Sequence, residues 1–289
     1  MDPLHVLQIV VLAIVQGLAE LLPVSSSAHV TIVARLIGFD MGSNSEADVQ
    51  WAFLVIMLHT GTMFAVLMYF WSRWKPLLKQ IPALVLATAA TGVIGFGLKL
   101  LIERLFLTDP KAASPQEIEH LFRNFPLMAA SLFAAGILII VAGLKDRGSS
   151  NGDERIGAPR SLIIGVVQGL CLPFRGFSRS GSTISTGMLL GIARIPAEEF
   201  SFALAVLLTP AIICYEGLKL AKQHVTEVSL APLFLPGLIG MCFSFAAGLL
   251  ALRWLSRWLE KGKWICFGYY CVVAALVVLA VHYGTALRQ

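Results

Sequence analysis

Charge is what this chain has least of. Only 13% of its 289 residues are Asp, Glu, Lys or Arg, against about 25% in an ordinary soluble domain. With 57% hydrophobic residues and a mean hydropathy of +0.79, the chain reads as an integral membrane protein. No hydrophilic stretch is long enough for a separate soluble domain. Cysteine is also scarce. Cys171, Cys214, Cys242, Cys266 and Cys271 sit mostly in apolar runs without CxxC or Cys/His spacing, which points to small packing residues rather than disulfides or zinc ligands. The apolar N-terminus lacks a basic n-region and a small-residue cleavage site, so it reads as mature structure and not as a signal peptide. The net charge of +5 fits positive cytoplasmic loops and calls for no nucleic acid.

What the chain does have is long apolar runs. About 20 apolar residues span a bilayer as a helix, and six stretches qualify: 51–70, 82–102, 126–144, 200–218, 231–252 and 264–284. Segments 4–38 and 161–192 differ, each being two short apolar halves broken by Pro, Gly and Ser. Neither half reads as long enough to cross alone, so both segments are predicted to be re-entrant helix–turn–helix hairpins. Such breaks survive at membrane depth only when buried in protein or lining a wet cavity. The fold class expected is therefore all-α, a single polytopic membrane domain over 1–289 with six transmembrane helices and two hairpins.

Loop charge sets the expected orientation. Loops 71–81, 145–160, 193–199 and 253–263 carry twelve Lys and Arg, against six in the N-terminus, 39–50, 103–125, 219–229 and the C-terminus. The positive-inside rule puts the first set in the cytoplasm and both termini outside. The two hairpins then enter from opposite faces. Their sequences echo one another: Gln16-Gly17-Leu18 matches Gln168-Gly169-Leu170, and Ser25-x-Ser27 matches Ser178-x-Ser180. An inverted repeat is expected, one copy over about 1–80 and the other over about 155–225, with a site near the midplane where the copies face each other.

The chemistry sits at the two breaks. Gln16 and Glu20, four apart, share a helix face. A carboxylate at this depth costs on the order of 3 kcal/mol, which makes Glu20 a functional candidate by default. Pro23 stops the helix, and Ser25, Ser26 and Ser27 offer an N-cap to the next one, whose free N–H groups and dipole favour an anion. His29 lies within four residues of those hydroxyls. The second break adds Arg175 and Arg179 among Ser178, Ser180, Ser182 and Thr183, with Gly176 and Gly181 for close backbone approach. Guanidinium and hydroxyls at a half-helix start suit phosphate oxygens. Arg, Ser, His and a carboxylate, without a metal-ligand cluster, point to phosphoryl chemistry on a membrane-resident substrate. A transporter or flippase for an isoprenoid phosphate would want the same anion site and is the alternative. His59 is placed beside the site.

The pattern Gln16-x-x-x-Glu20, Pro23-Val-Ser-Ser-Ser-Ala-His29 and Gly176-Phe-Ser-Arg-Ser-Gly-Ser-Thr183 resembles the undecaprenyl-diphosphate phosphatases, the bacitracin-resistance proteins, over essentially the whole chain. Two departures stand out: Arg175 replaces the Pro of a Pro-Gly pair, and Ser27-Ala28 replaces Thr-Gly. The resemblance implies removal of the terminal phosphate of undecaprenyl diphosphate at the outer face of the bacterial cell membrane. It places Ser26 at the nucleophile, His29 at the essential imidazole, and Ser178, Arg179 and Thr183 on the phosphate-binding motif. Gln16, Ser25, Ser27 and Ser180 are further substrate contacts expected on this basis. Glu20 is expected either to orient His29 or to hold a divalent cation, Mg2+ or Ca2+; with Gln16 in the variable position, one carboxylate rather than two is available to it. His29 is expected to take the proton of Ser26, with the reverse assignment (His29 as nucleophile, Ser26 as ligand) as runner-up. No organic cofactor is implied, and a homodimer is an option.

Overall fold

The computed structural model describes residues 3–42, 45–106, 124–145, 153, 155–174, 176–224 and 231–286. Ten helices of eleven residues or more make up the described chain, and no strand is among them: α1 (Pro3–Leu21), α2 (Ser26–Leu36), α3 (Ser45–Tyr69), α4 (Ile81–Phe106), α5 (Phe125–Lys145), α6 (Ala158–Cys171), α7 (Arg179–Leu189), α8 (Arg194–His224), α9 (Ala231–Glu260) and α10 (Trp264–Ala286). The all-helical membrane architecture is as expected.

The number of candidate spans is not. Seven helices, rather than six, are long and apolar enough to cross a membrane, and the additional one is α1. The polar residues near its end do not interrupt it: Gln16 and Gly17 are buried in the bundle and the helix runs through Glu20 to Leu21. At 19 residues, α1 measures about 28 Å. By the same rise α2 and α7 reach only about 16 Å and α6 about 21 Å, so these three fall short of a bilayer core.

Helix pairing follows small residues, as it must where lipid supplies no hydrophobic drive between helices. Helix α1 packs on α9, α6 on α4, and α5 on α10. In the first pair, a Cβ on Gly17 would stand 2.5 Å from the Ser244 carbonyl oxygen and 2.6 Å from Ala247 Cβ. In the second, a Cβ on Gly165 would stand 2.3 Å from the Ala87 carbonyl oxygen. In the third, Gly136 and Gly268 face each other, each added Cβ falling within 3 Å of the other's carbonyl oxygen. Helix α7 is wedged against α5, α6 and α8, and Trp264 Nε1 donates to Ser185 Oγ at 3.0 Å to tie it to α10.

Close backbone crossings make a direct prediction. Gly136→Val should lower stability by about 3 kcal/mol, since a branched side chain there must push α10 away. Gly97→Ala, where an added methyl meets nothing within 4 Å, should be neutral or stabilise by about 0.5 kcal/mol. Thermal unfolding of the detergent-solubilised variants compares the two.

Candidate active site

The two breaks meet. Helix α1 stops at Leu21, residues 22–25 turn, and α2 restarts at Ser26. The start of α7 lies against that turn. Arg179 Nη2 donates to Glu20 Oε1 at 2.7 Å across 159 residues, Ser180 Oγ donates to the Leu22 carbonyl at 3.3 Å, and Gly181 approaches Pro23 so closely that an added Cβ would sit 3.2 Å from the proline Cβ. Gly176 holds φ 136°, and a Cβ on it would lie 2.3 Å from the Met128 carbonyl oxygen. Close approach is thus what both glycines supply. Arg175 lies outside the described residues.

Glu20 is the hub. Its Oε2 accepts from Ser26 Oγ at 2.5 Å and from Gln16 Nε2 at 3.4 Å, while Oε1 takes the Arg179 bond. His59 Nε2 stands 3.8 Å from the same Oε2. The side chains of Glu20 and Arg179 are only 15% and 19% exposed, so the ion pair is largely screened from solvent. Expectation and geometry part here: the Ser26 hydroxyl is bonded to Glu20 and not to His29. Ser26 and His29 share a face of α2 three residues apart, but the imidazole is engaged elsewhere. His29 Nδ1 lies 2.7 Å from the Ser25 carbonyl and Nε2 lies 2.7 Å from the Tyr270 hydroxyl. A carbonyl only accepts, so Nδ1 carries the proton.

The serines divide by hairpin. Ser178 caps α7, its Oγ accepting from the Gly181 N–H at 3.2 Å. Ser25 sits at the equivalent position of α2 but makes no capping bond; its Oγ instead lies 3.3 Å from Ser27 Oγ. Its backbone has φ 66°, the only non-glycine positive φ among the described residues. The first-turn N–H groups of α2 are left without a side-chain cap, a concentrated site for anion oxygens. By contrast, the hydroxyls expected to bind phosphate from the second motif are turned inward. Ser178 is a cap, Ser180 holds Leu22, and Thr183 bonds Ser201 Oγ at 2.6 Å and the Arg179 carbonyl at 2.9 Å. Of that motif, Arg179 alone reaches a side chain of the first break.

Beside the ion pair lies a small cleft lined by Glu20, Arg179, Thr62 and Thr209 on its polar side and by Leu21, Met63, Val66, Ala205 and Val206 on its apolar side. Such a lining suits an anionic head joined to a hydrocarbon chain. Tyr270 went unnoticed in the sequence because α10 is apolar all round; the neighbouring Cys271, expected only as a packing residue, donates its Sγ to the Pro23 carbonyl at 3.2 Å. A hydroxyl inside such a run was the one available signal. As for a cation, Glu20 is the single carboxylate among the described pocket residues, both its oxygens are engaged, and no group of three or more His, Cys, Asp or Glu is placed to ligate an ion among the described residues. A hard divalent ion takes six or more oxygens. A cage built from protein ligands alone does not fit these residues; a cation bridging Glu20 to substrate phosphate oxygens, with water completing its shell, would have Glu20 as its one protein carboxylate.

Fold and site together define a polytopic helical membrane protein whose two polar breaks meet at a largely buried Glu20–Arg179 ion pair. The model of the family "Bacitracin resistance protein BacA" matches residues 9–277. The chain is 53% identical over 294 residues to "Undecaprenyl-diphosphatase 2" of Acinetobacter baylyi, covering 97% of this chain and 98% of that one. It is 33% identical to "Undecaprenyl-diphosphatase" of Rhodopirellula baltica (96% and 98% covered) and 33% identical to that of Verminephrobacter eiseniae (96% of each). The protein belongs to the BacA family of bacitracin resistance proteins.

The ion pair yields a test of its own. Arg179→Met strands the Glu20 carboxylate and should cost about 3 kcal/mol of stability, whereas Arg179→Met combined with Glu20→Gln should regain most of it. Thermal unfolding of the single and double variants reads the difference.

Proposed function

We propose that this protein is an undecaprenyl-diphosphate phosphatase of the bacterial inner membrane, hydrolysing undecaprenyl diphosphate to undecaprenyl phosphate and inorganic phosphate. It thereby returns the lipid carrier to peptidoglycan synthesis and confers bacitracin resistance. The names of the relatives agree with this reading. The observation that carries it is the Ser26 hydroxyl held on Glu20 beside Arg179, at the uncapped start of α2.

The steps follow from that arrangement. The terminal phosphate of the substrate draws Arg179 away from Glu20, because a phosphate carries more charge than a carboxylate and accepts two parallel N–H bonds. Relieved of its counter-ion, Glu20 accepts the Ser26 proton as Ser26 Oγ bonds to phosphorus and the bridging P–O bond breaks. Undecaprenyl phosphate leaves with that electron pair. Arg179 and the first-turn N–H groups of α2 hold the charge that develops on the equatorial oxygens. His29 Nε2 then takes a proton from water as that water attacks the phosphoserine, inorganic phosphate departs as Ser26 recovers its proton from Glu20, and His29 gives up the water's proton to solvent. Gln16 steadies Glu20, while Ser178, Ser180 and Thr183 set the position of Arg179 rather than touching phosphate.

Architecture fits the same reading. We take α1–α2 and α6–α7 as re-entrant hairpins of an inverted repeat that embraces five helices per copy, more than the two stretches of about 70 to 80 residues legible in sequence. Its support is reciprocal packing. Gly17 and Gly169, matched in the sequence, cross at residues 244, 247 and 248 of α9 and at residues 91 and 94 of α4, positions related by one constant offset. We read the mouth of the first hairpin, and with it the site, as opening on the outer face, and the excess of Lys and Arg in the opposite loops supports this reading.

Phosphate release from pure undecaprenyl diphosphate in detergent tests the whole proposal. Ser26→Ala should lower kcat by on the order of 10³-fold or more, and Arg179→Ala by roughly 10³-fold. The trapped phosphoenzyme should survive acid, as phosphoserine does. Acid lability would make His29 the nucleophile, and a near-full rate in Ser26→Ala would remove Ser26 from the chemistry. Movement of intact lipid between leaflets with no phosphate released would point to a carrier instead.

A further inference from the structure

We propose that Tyr270 is a positioning residue of the active site, its hydroxyl holding the basic nitrogen of His29 until water arrives. This rests on the phosphatase reading above, in which His29 Nε2 takes the proton of the attacking water.

The imidazole is gripped from both edges. On one edge Nδ1–H donates to the Ser25 carbonyl at 2.7 Å, and that carbonyl is aimed by the single left-handed non-glycine backbone among the described residues. An L-residue in that conformation costs about 1–2 kcal/mol, so the surrounding structure enforces it. On the other edge Nε2 lies 2.7 Å from the Tyr270 hydroxyl, contributed from 241 residues further along the chain. With Nδ1 protonated, Nε2 of the neutral ring has only a lone pair to offer, and the tyrosine must be the donor. The rings are nearly parallel, at 14° and 5.6 Å between centroids, so Tyr270 also restricts the tilt of the imidazole.

Tyr270 is itself well anchored. Two residues before it, Gly268 is locked in the crossing with Gly136, and directly after it Cys271 is fully buried and donates to the Pro23 carbonyl in the break between α1 and α2. The backbone that presents Tyr270 is therefore tied to the turn that presents Ser25. Its side chain, in contrast, is 48% exposed. Rotation about its own torsions withdraws the hydroxyl without moving α10, at the cost of one hydrogen bond, worth about 1 kcal/mol. Tyrosines at membrane interfaces commonly point the hydroxyl at headgroups; this one points it at the catalytic imidazole. The resulting arrangement fixes which nitrogen is basic and keeps it neutral and aimed, yet yields it readily.

Imidazole 15N spectra of the full-length protein in detergent, with His29 assigned by its loss in His29→Gln, provide a substrate-free readout. The wild type should show His29 as the Nδ1–H form with a hydrogen-bonded Nε2. In Tyr270→Phe the His29 Nε2 resonance should move to that of a ring nitrogen without a hydrogen bond, Nδ1 staying protonated, while the other histidines stay put. On undecaprenyl diphosphate, Tyr270→Phe should lower kcat about tenfold with KM changed less than twofold, and should have no further effect on the residual rate of His29→Gln. Unchanged His29 resonances in Tyr270→Phe would overturn the proposal, as would a tenfold loss that persists in the His29→Gln background. Should the wild type release no phosphate, the phosphatase reading fails, and the spectra alone still decide whether Tyr270 governs His29.

Discussion

One ion pair organises this molecule. Glu20 belongs to a membrane-embedded helix end and Arg179 to the start of a helix 159 positions later, and neither charge is tolerable there without the other. Satisfying both forces the two breaks together. Once they touch, the Leu22 and Pro23 carbonyls, which the end of α1 leaves without helical partners, find donors in Ser180 and Cys271. The break is thus held from α7 on one side and from α10 on the other. That helps irregular backbone to survive inside an apolar bundle: the two carbonyls freed by the turn are met by protein, while the first-turn N–H groups of α2 stay open.

The two hairpins start from similar sequences and end in different chemical states. Ser178 caps its helix in the ordinary way and leaves α7 with a closed end, so the polar groups of that half are spent on structure. Ser25 occupies the corresponding place, but its left-handed backbone turns the carbonyl to His29 and its hydroxyl to Ser27, leaving α2 open. An open helix start is poor for stability and good for binding phosphate. Asymmetry between similar motifs is therefore where the function resides.

Much of this could be read from the residues, and the reasons for the failures are specific. Glu20 and Arg179 announced themselves because charge in an apolar run has few structural explanations, and the matched Gln-Gly-Leu triplets precede the two breaks that meet through that pair. The first half of segment 4–38 was expected to be too short to cross because Pro, Gly and Ser break that segment, yet α1 runs from Pro3 to Leu21 with Gly17 packed inside the bundle and Gln16 and Glu20 bonded to each other there. Hydroxyl direction was illegible: Thr183 lies one turn from Arg179, yet its hydroxyl faces Ser201 on α8, and sequence spacing cannot say which side of a buried helix is the reacting one. Tyr270 escaped for a related reason, as α10 has no polar stripe to mark its inner face.

His29 and His59 share a device that separates their roles. Each is four residues beyond the carbonyl it bonds through Nδ1, Ser25 in one case and Val55 in the other, so each carries its proton on Nδ1 and turns Nε2 to the site. They differ in what Nε2 meets. His59 faces the Glu20 carboxylate at 3.8 Å, too long for a hydrogen bond and close enough to feel its charge. His29 faces a neutral hydroxyl at 2.7 Å. Only the second arrangement holds Nε2 by a hydrogen bond to a neutral group, which the breaking of a single contact releases. An acceptor for the proton of water has to be held and released in this way, and the serine already has its own acceptor in Glu20.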